Sequence, residues 1–188
     1  MPTNLYFVRH GRSYSNLEKC YYDDSEESLI AEGRMQAWNA GYQLKKTGVK
    51  FDSIYCSPYV RAKETCQIAL HEMGLGNCTV WHDSRLRERD FLGVYDRPFS
   101  KELNRELYDY ASDYSERYGV ETLEMLEERA RRFMYSIRSR HPNGNVLVFS
   151  HGVLGLAFRA VVEGRPKSGN LCDLGMLKFG EIMKLVLE

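Results

Sequence analysis

The sequence predicts an α/β fold: a three-layer α/β/α sandwich with a mostly parallel central sheet and helices on both faces. Three observations carry this expectation. Short, wholly apolar runs, Leu5-Tyr6-Phe7-Val8 and Val146-Leu147-Val148-Phe149, have the length and unbroken hydrophobicity of strands covered on both sides. Between such runs lie longer stretches whose apolar residues recur at helical spacing, an alternation that implies right-handed crossovers. Breakers such as Pro142-Asn143-Gly144 separate the two kinds of segment.

Taken in order, the first strand runs into Arg9-His10-Gly11 and then a polar stretch, Tyr14 to Ser28, expected as a surface loop. Gly33 to Lys46 carries Met35, Trp38 and Tyr42 on one stripe with Ala37 and Leu44 beside it, which predicts an amphipathic helix ended by Gly48. Ile54-Tyr55-Cys56 is a second strand. Ser57-Pro58 after it has the form of an N-cap with proline at the first helical position. Ala62, Cys66, Ala69 and Met73 then share one face of a helix whose first turn holds Arg61. A weak strand at Cys78 to Trp81 precedes a charged connector, Leu86 to Gly93. Ser100 to Tyr118 repeats Leu103, Leu107, Tyr110, Tyr114 and Tyr118 at helical spacing, and five of the 13 tyrosines fall between Tyr95 and Tyr118. A long helix with Leu123, Leu126, Ala130, Phe133 and Ile137 follows, then the Val146 strand and a helix with Leu154, Phe158 and Val161. Two last apolar runs, Cys172 to Phe179 and Ile182 to Leu187, flank Gly180-Glu181 and predict a closing C-terminal hairpin.

At 188 residues the chain is expected to form one domain, 1–188, with a cap-like segment around 91–119. Lys+Arg and Asp+Glu balance at 26 each, so no overall charge draws it to nucleic acid or to an anionic membrane. Five widely spaced cysteines without a C-x-x-C pair fit a reduced, cytoplasmic protein. No stretch has the length of a membrane span or the pattern of a leader. His71, His82 and His141 lack a short ligand spacing, so no metal site is expected and they are read as surface residues.

In an open α/β sheet, ligands bind beyond the carboxyl ends of the strands. Two histidines stand there, His10 and His151, with Arg9 beside the first and Arg61 on a neighbouring helix. Together they form a small cationic pocket in a neutral protein, suited to a compact, multiply charged anion; guanidinium forks match phosphate oxygens two at a time. Like charge from the arginines lowers the pKa of a histidine among them and leaves a neutral nitrogen available as nucleophile. Glu88 is the candidate acid for a leaving alkoxide, its pKa raised by a bound phosphate. Asp90, two residues on, is the alternative.

Arg9-His10-Gly11-Arg12-Ser13-Tyr14-Ser15-Asn16 resembles the R-H-G-x-[ST]-x-x-N signature of the histidine phosphatase superfamily, in its phosphoglycerate-mutase-like branch. Further blocks follow in that family's order: Leu29-x-x-x-Gly33-x-x-Gln36-Ala37, Ser57-Pro58-x-x-Arg61-Ala62-x-x-Thr65, Leu86-x-Glu88 with Gly93, and Ser150-His151-Gly152. The resemblance implies that His10 is phosphorylated and Glu88 donates a proton. Arg9, Arg61, His151 and Gly152 would bind the phosphoryl group, assisted by Asn16. It also implies no metal or organic cofactor, and a small phosphorylated substrate as the only partner class indicated. Mutases of the family usually carry glutamate at the position of Arg12 and tryptophan at that of Ser15, with a longer insertion before the last motif and a C-terminal tail. Phosphomonoester hydrolysis is therefore expected ahead of a phosphoglycerate-mutase-type transfer. Two points stay open on the residues alone. Arg85, Arg87 and Arg89 form either a second anion site or a solvated connector, and the tyrosine stripe is either a cap over the pocket or a packing face.

Overall fold

The computed structural model describes residues 2–18, 25–95 and 97–188. Among these residues one sheet is formed by β1 (Thr3–Arg9), β2 (Ser53–Cys56), β3 (Trp81–His82), β4 (Asn145–Ser150) and β5 (Ile182–Leu187), in the order β3-β2-β4-β1-β5. All neighbouring pairs are parallel except β5, which runs antiparallel to β1 along one edge. The helices are α1 (Tyr14–Glu18), α2 (Ala31–Lys46), α3 (Val60–Met73), α4 (Lys101–Leu107), α5 (Tyr114–Tyr118), α6 (Leu123–Arg140) and α7 (Gly152–Val162). None of them is long and apolar enough to cross a membrane.

The alternation of side chains along each strand divides the interior in two. Leu5, Phe7, Tyr55, Val146 and Val148 pack with α6 and α7 on one face. Tyr6, Val8, Ile54, Cys56, Leu147 and Phe149 pack with α2 and α3 on the other. The expected three-layer α/β sandwich with a mostly parallel sheet is the observed architecture. The periodic residues of α6, Leu123, Leu126, Ala130, Phe133 and Ile137, are all buried, and Thr122 caps its start by accepting a hydrogen bond from the Met125 N–H at 3.2 Å.

Several local expectations are corrected. On α2 the large residues Met35, Trp38 and Tyr42 face solvent, while Gly33, Ala37, Ala40, Gly41 and Leu44 are buried. The reason is proximity to α3: a Cβ on Gly41 would lie 2.4 Å from the Ala69 carbonyl oxygen, so only small side chains fit the seam. Ser57 does not cap α3. That helix begins at Val60 with Tyr59 at its cap position and no side-chain cap, and the Ser57 hydroxyl is used elsewhere. The third strand is Trp81–His82 rather than 78–81, set by pairing with Tyr55 and Cys56. The helix expected over 100–118 breaks into α4 and α5, because the chain between them is diverted by pairing of Asp109 with Asn170 and by the Tyr110 N–H donating to the Gly169 carbonyl at 3.1 Å.

The closing hairpin is also absent. Residues 171–174 form a single 3₁₀ turn and β5 alone joins the sheet. The partner run is drawn away by Arg9, which donates to the Leu177 carbonyl and lies 4.0 Å over the Phe179 ring. Of the expected surface loop Tyr14 to Ser28, the first part is α1; Cys20, Asp23 and Asp24 lie outside the described residues.

Candidate active site

Register brings the two histidines together. Val8 is level with Phe149 and Arg9 with Ser150, so His10 and His151 are the next residues of adjacent strands. Their ring centroids are 5.2 Å apart. The loop after β1 is pinned by three backbone donors: His10 N–H to the Ser150 carbonyl at 2.8 Å, Gly11 N–H to Thr65 Oγ1 at 3.0 Å and Arg12 N–H to Gln36 Oε1 at 2.9 Å. A Cβ on Gly11 would sit 2.1 Å from the Gly33 carbonyl oxygen, and one on Gly33 2.1 Å from that of Arg12. Both positions therefore require glycine, which gives the Leu29 to Ala37 block a physical purpose: it holds the histidine loop against α2.

Arg61 enters from the first turn of α3 and is 1% exposed. Its Nε–H donates to His10 Nε2 at 3.2 Å. One turn later Thr65 donates to the Arg61 carbonyl at 2.7 Å while accepting from Gly11. On the other ring nitrogen, His10 Nδ1 lies 2.6 Å from the Gly11 carbonyl oxygen. A carbonyl can only accept, so the proton is on Nδ1 and the lone pair on Nε2; the Arg61 donor independently requires the same tautomer. Burial, and then the charges of Arg61 and Arg9, hold the His10 imidazole well below the usual histidine pKa. The lowering expected from like charge is present, with burial as the larger cause.

His151, fully buried, is pushed well below the usual value by burial, then Arg61 and His10. Its Nε2 is 2.7 Å from the Ser57 hydroxyl. His151 Nδ1 and Arg9 Nε have no hydrogen-bond partner among the described residues. Burial also lowers the Arg9 pKa, opposed mainly by the carboxylate of Glu88. A buried guanidinium N–H without a partner, such as that of Arg9 Nε, is costly unless an acceptor such as an anion meets it.

Arg9, His10, Asn16, Arg61, Glu88 and Gly152 all line one cavity of about 250 Å³. Asn16 Oδ1 accepts from the Ser13 N–H at 3.1 Å and hydroxyl at 2.9 Å, which leaves its amide NH2 as the group it can offer. His151 lies behind this lining, and Gly152 leaves room for Arg9, whose Cζ would be 3.0 Å from a Cβ there. Glu88 accepts the backbone N–H groups of Val153 at 3.2 Å and Leu154 at 3.1 Å, in the first turn of α7. Asp90, the alternative acid, is exposed and is spent on the Leu92 N–H at 2.9 Å.

Sequence reasoning missed four supports. Ser57 and Thr65 lie inside a quoted block, yet their partners depend on register. Arg89 is neither an anion site nor a solvated connector: it is buried and donates to the Glu121 carbonyl at 2.7 Å, the Leu107 carbonyl at 2.5 Å and Ser115 Oγ at 2.7 Å. Arg129 pairs with Glu121 at 2.6 Å and donates to the carbonyls of Arg85 at 2.8 Å, Arg87 at 2.7 Å and Glu88 at 3.3 Å. Nothing local in sequence marks either arginine. His71 and His82 are exposed as expected, but His141 is half-buried against the Tyr55 hydroxyl at 3.1 Å. Among the described residues no group of three or more His, Cys, Asp or Glu could hold a metal ion.

An imidazole with its lone pair on Nε2 beside the buried Arg61, in a cavity also lined by Arg9, can accept a tetrahedral oxyanion. The family model of the histidine phosphatase superfamily (branch 1) matches residues 5–172, and the chain belongs to that superfamily. A 91-residue stretch is 38% identical to the 2,3-bisphosphoglycerate-dependent phosphoglycerate mutase of Brucella ovis, covering 48% of this chain and 44% of that protein; the match thus spans under half the relative's length. The fold is similar to a mycobacterial glucosyl-3-phosphoglycerate phosphatase, with a TM-score of 0.80 at 23% identity over 99% of this chain and 91% of that one. It is equally similar to a mutant phosphoserine phosphatase of Entamoeba histolytica, with a TM-score of 0.80 at 18% identity over 97% and 89%.

Proposed function

We propose that the chain is a metal-independent phosphatase that hydrolyses a phosphomonoester through a phosphohistidine on His10. The observation that carries this reading is the His10 tautomer: Nδ1–H tied to the Gly11 carbonyl and a basic Nε2 beside Arg61 in a cavity also lined by Arg9. A phosphoryl oxygen arriving at Arg61 competes for its Nε–H and releases the Nε2 lone pair. Arg9, Arg61 and His151, with Asn16 and the Gly152 backbone, bind the remaining oxygens and carry the charge that develops on them.

In the first step the Nε2–P bond forms and the P–O bond to the alcohol breaks, while Glu88 gives its proton to the leaving oxygen. In the second, water attacks phosphorus, Glu88 takes the water's proton and the P–N bond breaks, releasing inorganic phosphate. Segment 91–119 acts as the cap over the leaving group, since Phe91, Tyr95, Phe99, Asn104 and Tyr108 line the same cavity. Ser15 also lines it, and a small residue there leaves water a route to the intermediate.

The test is release of phosphate by EDTA-treated protein, together with an acid-labile, base-stable phosphoprotein trapped on rapid quench. His10→Ala is expected to abolish both, with turnover falling on the order of 10⁴-fold or more. Absence of phosphate release and of the labile adduct from the wild-type protein refutes the proposal. The second reading, phosphoglycerate-mutase-type transfer, is favoured by the relatives matched over 91 residues; isomerisation of a phosphoglycerate primed by a bisphosphorylated compound would establish it.

A further inference from the structure

The phosphate end of the cavity is cationic; the rest of its wall is mainly aromatic, with one further arginine, Arg89. Beyond Arg9 and Arg61 the lining turns aromatic, with Tyr59 on one side and Phe91, Tyr95, Phe99 and Tyr108 from the segment after Glu88. Two apolar side chains of the lining are exposed: Phe99, on this wall, is 41% exposed, and Met176, which lies by Gly152 near Arg9, is 37% exposed. They come from segments far apart in sequence and line one cavity, where an apolar ligand would cover exposed surface.

Charge points the same way. Among the described residues, the remaining arginine of the lining, Arg89, has each of its three guanidinium nitrogens donating to Glu121, Leu107 and Ser115. A leaving group bearing a carboxylate or a second phosphate would meet the carboxyl group of Glu88, while the Arg89 guanidinium is fixed by the fold and cannot turn toward it without giving up those bonds. Arg12, the other arginine of the histidine loop, is engaged with Glu32 at 3.0 Å and is not part of the lining.

We infer that this compartment takes an uncharged, ring-bearing group, so that the substrate class is the phosphomonoester of an aromatic or comparably planar apolar alcohol, rather than of an acidic one such as a phosphoglycerate or phosphoserine. The inference deepens the phosphatase reading above and rests on it for turnover, but the compartment's preference can be measured by binding alone.

The experiment compares kcat/KM for 3-phenylpropyl phosphate, 3-phosphoglycerate and O-phosphoserine, all with alkyl leaving groups, so that the ring and the charge differ and the bond broken does not. In parallel, calorimetry measures 3-phenylpropylphosphonate against 2-carboxyethylphosphonate, which cannot be hydrolysed. The ring-bearing ligand is expected to be preferred at least about tenfold in both arms, the scale on which apolar pockets discriminate. Phe99→Ala is expected to shrink that ratio about tenfold; Phe99 is too exposed for its loss to endanger folding. Equal or tighter binding of the carboxylated phosphonate overturns the inference whatever the turnover, as does a ratio unmoved by Phe99→Ala. Preferred binding of the phenyl ligand with no hydrolysis of any ester sustains the inference and refutes the phosphatase reading instead.

Discussion

The two halves of the cavity are built by different means. The histidine half is set by strand register: His10 and His151 follow level residues of β1 and β4, and Arg61 reaches them from the helix after β2. The opposite half, which carries Glu88 and the aromatic wall, has no strand to order it. It is tied down by two long side chains, Arg89 and Arg129, whose guanidinium groups bind carbonyls of Leu107, Glu121, Arg85, Arg87 and Glu88. Such groups satisfy backbone polar atoms that a loop would otherwise leave unpaired. Arginine thus has two uses around one cavity: in the first half Arg61 stands beside the His10 lone pair, in the second the donors of Arg89 and Arg129 are consumed by the fold.

The sharpest contrast concerns chemistry at the boundary. Glu88→Gln is expected to lower kcat/KM, which reports formation of the phosphohistidine, by about 10²- to 10³-fold for alkyl phosphates, within the usual contribution of a positioned acid, while kcat/KM for 4-nitrophenyl phosphate, whose leaving group needs no proton, is affected far less. Val153 and Leu154 donate to different oxygens of Glu88, so the glutamine keeps an acceptor for only one of them and a small fall in melting temperature is expected beside the kinetic effect. Equal slowing of both esters would remove Glu88 from the role of proton donor.

Stability should divide the two arginine sets. Arg89→Met leaves two carbonyls and a hydroxyl unpaired in the interior and is expected to cost about 3 kcal/mol of unfolding free energy in urea titration. Arg61→Met is expected to destroy activity at a smaller cost in stability than Arg89→Met, since its Nε–H meets His10 Nε2 rather than a backbone carbonyl of the fold. Comparable destabilisation by both substitutions would erase the distinction.

The same division explains what the sequence made legible. Strand and helix periods placed β1, β4 and α6, because their side chains answer to one buried layer each. The R-H-G and S-H-G blocks located the histidines, because each chemical residue directly follows a strand. Failures occurred where a partner distant in sequence decided the outcome. Ser57 looks like a cap from its neighbours, but His151, 94 residues away, claims its hydroxyl. The Cys172 to Phe179 run looks like a strand, but Arg9 occupies its carbonyl and its ring. On α2, the helical period was right and the face wrong, since close approach to α3 rewards glycine and alanine over tryptophan. Arg89 and Arg129 were indistinguishable from surface charge, for their role depends wholly on which carbonyls the fold brings near.

An effect that touches only the histidine half is on the pH dependence of folding. His10 and His151 are both buried, and burial with the charges of Arg61 and Arg9 holds their pKa values well below normal. In the unfolded chain they titrate near the ordinary value of about 6.5. Above that pH both states are neutral at these sites and the stability is fully present. As pH falls through about 6.5, the unfolded state takes up protons that the folded state refuses, so stability declines, by about 1.4 kcal/mol per pH unit for each histidine once the unfolded chain is protonated there. Urea titrations between pH 7.5 and 5, a range above the ordinary carboxylate pKa values, are expected to show this decline, and a His151→Gln variant should show a shallower one. A curve flat across that range would mean that the two imidazoles titrate alike in the folded and unfolded chain, and stability rising toward low pH would mean that they are already protonated in the folded protein, leaving His10 no lone pair to offer phosphorus.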